Sequence, residues 1–80
     1  MPTVLRSRGY RFFFFSLEGS EPPHVHVEKA GDHAKFWLNP VSLARSRGFL
    51  SRHLAEIRRL VEEHRAFILE RWHEHFADQA

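Results

Sequence analysis

The residues best equipped for chemistry form one short run, His24-Val25-His26-Val27-Glu28, introduced by Pro22-Pro23 and followed by a second run around Lys35-Phe36-Trp37. In an extended strand, residues two apart project to the same side with about 6 to 7 Å between them at the backbone, so the two imidazoles can act on one object. Three kinds of chemistry fit that geometry. As acid and base, one neutral ring takes a proton from a ribose 2′-hydroxyl while the other, protonated, donates to the leaving oxygen, and Lys35 neutralises the phosphate. As binders, the rings stack on bases beside Trp37 in the manner of sheet-based readers of single strands. As ligands, they hold a metal with a third donor from Glu28, His33 or Glu18, the set His24, His26 and Glu28 lying on one strand face. Two imidazoles merely tolerated on a solvated strand are the bland account. Lys35 and Trp37 on the neighbouring strand, and the stiff Pro-Pro approach, favour a role in catalysis or RNA contact over a metal site. That leading reading, a metal-independent ribonuclease or RNA binder, needs no cofactor.

Those side chains share a face only if the strands carrying them are half buried. His24 to Lys29 alternates strictly, Ala30-Gly31-Asp32 supplies a tight hairpin connection, and His33 to Leu38 resumes the alternation until Asn39-Pro40 ends it. Upstream, residues 3 to 6 read as an edge strand, and Arg6-Ser7-Arg8-Gly9 supplies a turn. Tyr10 to Leu17 is nearly all aromatic, the signature of a central strand buried on both faces. It presents either Tyr10, Phe12 and Phe14 or Arg11, Phe13 and Phe15 to the open side. Residues 18 to 23 form a loop. Residues 41 to 50 read as a connector with a helical turn near Val41 to Arg45, broken at Gly48, and Ser51 is the candidate N-cap of the last element. From there to residue 77, Leu54, Ile57, Val61, Ile68, Trp72 and Phe76 recur in steps of three and four, with His64 on the same stripe, which predicts one long helix. The expected architecture is α+β in the order β-β-β-β-α. An antiparallel sheet of three to four strands within 1–40 is joined by the connector to a helix over 51–77 that covers one face. Val25, Val27, Phe36 and Leu38 belong against that helix, which sends His24, His26, Glu28, Lys35 and Trp37 to the bare side.

Composition narrows the function classes. Eighty residues make one domain, whose core draws on eight Phe, two Trp and one Tyr. With no cysteine, the chain has no disulfide framework, thiolate zinc site or cysteine nucleophile. Net charge is +2 with histidine neutral, and ten of the twelve basic residues are arginine, suited to planar contacts with phosphate. That excess is modest, so the geometry of a patch decides, and Arg6, Arg8 and Arg11 are the candidates for gripping phosphate beside Tyr10 and Phe12. The longest apolar run, Phe12 to Phe15, falls far short of the roughly 20 residues of a membrane span. A hydrophobic signal core is also lacking, so the expectation is a cytoplasmic protein without membrane contact. No glycine-rich phosphate loop or hydrolase elbow is present.

The segments MPTVLRSRGYRFFFFSLEG, EPPHVHVEK, AKFWLNPV and RWHEHF together resemble the small bacterial family known as domain of unknown function 4160. The family pattern falls on Gly9, Tyr10, Arg11 and Phe12, on Pro22, Pro23, His24 and His26, on Lys35, Phe36 and Trp37, and on Trp72 and His73. His33 and His75 depart from it, which lowers their weight as ligands. The resemblance implies a gene pairing like that of type II toxin-antitoxin systems, hence a small cognate partner protein, antitoxin-like. A non-catalytic interaction module, whose open aromatic face docks that partner, is the alternative, and the bare face also admits a second copy of the chain. The sheet-and-helix arrangement is similar to the double-stranded-RNA-binding-like fold of HicA-type toxins, an analogy at the level of fold alone.

Overall fold

A computed structural model describes residues 3–77. Five strands, β1 (Thr3–Ser7), β2 (Tyr10–Phe13), β3 (His24–Lys29), β4 (Asp32–Leu38) and β5 (Val41–Arg47), form one antiparallel sheet in the order β1-β2-β3-β4-β5. Helices α1 (Ser51–Glu63) and α2 (Arg65–Phe76) follow. The α+β class stands, with five strands where three to four were expected and two helices in place of one.

Local backbone chemistry sets the hairpins. Arg8 and Gly9 between β1 and β2, and Ala30 and Gly31 between β3 and β4, all have positive φ. Positive φ at both central residues gives the turn whose twist matches that of the flanking strands. The chain reverses again at Asn39–Pro40, a cis peptide bond, and pairs Leu38 with Val41. Residues 41 to 47 are therefore an edge strand and not the expected connector. The aromatic run is strand only to Phe13, and β3, with β2 and β4 on either side, is the middle strand.

The helical segment divides at His64, whose backbone (φ −102°, ψ 13°) leaves the α region. This break has a partner: the Arg65 Nε–H donates to the Leu38 carbonyl at 2.6 Å and Nη2 to Asn39 Oδ1 at 3.0 Å, fastening the start of α2 to the end of β4. At the other end, Leu50 and not Ser51 is the cap residue, and its backbone N–H donates to His53 Nδ1 at 3.2 Å.

The core lies between the sheet and the helices. Tyr10, Phe12 and Phe14 enter it with Val25, Val27, Phe36 and Leu38, against Ile57, Leu60 and Val61 of α1 and Ile68, Trp72 and Phe76 of α2. Tyr10 and Phe12, both at most 1% exposed, are thus core residues and cannot contact a nucleic acid or partner as expected. Among the described residues, no helix is long and apolar enough to cross a membrane.

Candidate functional site

Residues paired across strands share a face, so the register sorts the opposite side of the sheet into rows. Arg6, Arg11, Glu28, His33 and Arg47 form one row, Phe13, His26, Lys35 and Arg45 a second, and His24, Trp37 and Ser42 a third. None of these residues is in the helix-facing core cluster.

This face is not bare over its middle. The segment after β2 returns across it and closes on the imidazoles. Phe15 meets the His26 ring edge-on at 4.4 Å, and Glu18 Oε1 lies 2.7 Å from Nε2 of both His24 and His26. The Pro22 carbonyl accepts from His24 Nδ1 at 2.9 Å, and Glu21 accepts from Lys35 Nζ at 2.7 Å. His24 and His26 consequently have 0% exposure and Lys35 6%, so a substrate reaches neither ring unless this segment is displaced. Rings wall the pair on its other sides. Phe13 stacks on His26 at 5.6 Å, while Trp37 at 5.6 Å and Trp72 of α2 at 4.8 Å flank His24.

The remaining candidates divide. Arg11 lies over the Phe13 ring at 4.4 Å and donates from Nη1 to Glu28 at 2.8 Å. Glu28 is thus engaged by Arg11, and the carboxylate that joins His24 and His26 is Glu18, their ligand-type atoms all lying within 4.8 Å of one another. Arg6 shares the face of Arg11, but Arg8 lines a depression with Glu56, Arg59 and Glu63 of α1 and does not join the cluster expected of it. Lys35 Nζ sits 4.7 Å from the Trp37 ring centre.

The histidine chain continues toward solvent, because His26 Nδ1 lies 3.0 Å from His33 Nε2. His33 opens into a groove of about 400 Å³ with Phe15, Arg45, Ser46 and Arg47. Arg45 and Arg47 are exposed, and neither has an acidic partner among the described residues. Burial, and then the charges of Arg45 and Arg47, hold His33 below the usual imidazole range. Burial likewise lowers His26 despite the opposing pull of Glu18. For Glu18, burial pushes the carboxyl upward, but hydrogen bonds and charge from the two rings outweigh it and leave the group below its ordinary value.

The family described as domain of unknown function (DUF4160) matches residues 9–73, a span from the β1–β2 turn through most of α2. The chain belongs to this family. No significant match was found among curated proteins or solved structures. The DUF4160 match takes in Glu18, His24, His26, His33, Lys35, Arg45 and Arg47 alike, so cluster and groove both lie within the family's domain. Arg45 and Arg47 are absent from the sequence-based candidates because residues 41 to 50 read locally as a connector. Alternation alone would not have found them: Arg45 and Arg47 share the phase of Val41 and Leu43 in the sequence, and they reach the open face only through the register shift beside Lys35 and Phe36.

Proposed function

We propose that this protein binds single-stranded RNA in the groove at the β4–β5 end of the sheet face, beside the histidine cluster. The observation that carries this reading is the pair Arg45 and Arg47, exposed two residues apart on an edge strand and flanking His33 and Phe15. Guanidinium forks suit phosphate oxygens, and an aromatic ring beside them offers a surface on which a base stacks whatever its identity. Nearer the middle of this face the charges are spent internally, Arg11 on Glu28 and Lys35 on Glu21, and Arg6 lies at the opposite edge on β1, away from the groove. His24 and His26 support the groove from beneath in this reading and do not touch the strand. The setting we propose is that of a toxin-like half of a bacterial two-protein pair, with the small partner covering the groove.

Fluorescence polarisation with an end-labelled single-stranded RNA oligonucleotide tests it. Removing both charges in an Arg45→Ala, Arg47→Ala variant should weaken binding by about 100-fold or more, since each charged hydrogen bond contributes about 1.5–3 kcal/mol. Equal binding by wild type and variant would refute the assignment. A tight complex with the cognate small protein, formed by a chain that binds no RNA, would assign the face to protein docking instead.

A further inference from the structure

Counting protons on the buried rings leads to a separate conclusion, independent of RNA binding. The Pro22 carbonyl can only accept, so the 2.9 Å contact places a hydrogen on His24 Nδ1. In a neutral ring Nε2 is then a lone pair, yet it points at a carboxylate oxygen 2.7 Å away. His26 aims Nε2 at the same oxygen from 2.7 Å, while its Nδ1 meets His33 Nε2 at 3.0 Å, a contact in which either ring can donate. Two imidazole nitrogens and one carboxylate oxygen thus converge on a common point, enclosed by Phe13, Phe15, Trp37 and Trp72.

We propose that Glu18, His24 and His26 form a site for a divalent transition-metal ion of the zinc class. The three possible ligand atoms lie within 4.8 Å of one another, and one carboxylate with two imidazoles is a donor set of catalytic zinc centres that leaves a fourth position for water. The outer contacts have the corresponding form. Ligating imidazoles commonly give their second N–H to a backbone carbonyl or another acceptor, as His24 does to Pro22 and as His26 Nδ1 is placed to do toward His33. Rings with no solvent exposure have their orientation fixed, which reduces the reorganisation needed for binding. Tetrahedral coordination separates ligand atoms by about 3.3 Å, given metal–ligand distances near 2.0–2.1 Å, so seating the ion requires Glu18 to retreat slightly. Glu18 is the ligand able to do so, since it lies on the segment between β2 and β3 while both histidines are on a strand. Its side chain is 20% exposed, which puts the route of entry on its side of the cluster.

The test uses the untagged full-length chain, stripped with chelator and titrated with Co²⁺ as a spectroscopic probe and then with Zn²⁺. The expected result is one equivalent of Co²⁺ with tetrahedral visible absorption, displaced by Zn²⁺. Glu18→Gln preserves shape and hydrogen bonding but removes the anionic ligand, and should weaken Co²⁺ binding by about 100-fold or more with the far-ultraviolet circular dichroism unchanged. Glu28→Gln, on the same sheet face, should bind as wild type does. If His26→Asn does not fold, Glu18→Gln still decides the matter. Absence of stoichiometric binding by the folded wild-type chain, or undiminished binding by Glu18→Gln, would overturn the site.

Discussion

Tyr10 buries its ring in the core and donates its hydroxyl to Glu56 Oε1 at 2.8 Å, joining β2 to α1. Burial first, and then Glu56, push its pKa from 10.0 up to about 12. The folded chain therefore holds this proton more tightly than the unfolded chain does. Its contribution to stability is complete below pH 10 and fades as pH rises toward 12. Urea denaturation across that window should show wild type losing stability where Tyr10→Phe does not, and parallel curves would mean that the hydroxyl is not protected. At neutral pH, Tyr10→Phe should cost about 1.5–3 kcal/mol for the lost hydrogen bond to a carboxylate. Legibility in the sequence reached its limit at this residue. Alternation in His24 to Lys29 separates valines from imidazoles, because only one set is apolar. The run Tyr10 to Phe15 is aromatic in both phases, so polarity could not say which set meets the helices, and the one polar member, Arg11, marked the open phase only weakly.

Among the elements, two of the three tight hairpins place a non-glycine residue in the left-handed region, Arg8 at φ 53° and Ala30 at φ 52°. Asparagine tolerates that region better than alanine, so Ala30→Asn should raise stability by about 0.5–1 kcal/mol in chemical denaturation, and a loss would mean that the turn relaxes otherwise. Arg65→Ala should cost about 1–3 kcal/mol, since it leaves the Leu38 carbonyl without its charged donor. The same experiment asks why the helical segment divides. The stripe from Leu54 to Phe76 keeps its three-and-four spacing straight through His64, so the periodicity carries no sign of a break whose partner is a sheet-end carbonyl. The fifth strand escaped notice for a related reason. Pro40 marks an end in a local reading, and only pairing with β4 shows that Val41 to Arg47 continues the sheet.

On the scale of the whole molecule, a net charge of +2 says little about partners, and the distribution says more. Helices cover one face, the segment between β2 and β3 covers the middle of the other, and two arginines at the outer edge lack carboxylate partners among the described residues. If that edge holds phosphate, binding must release counterions in proportion to the charges engaged. The decisive measurement is RNA affinity as a function of salt for the wild-type chain and for the Arg45→Ala, Arg47→Ala variant. On this account the slope of log K against log salt becomes shallower by about 0.7 for each arginine removed, about 1.4 in all. Identical slopes for the two proteins, at any affinity, would contradict it.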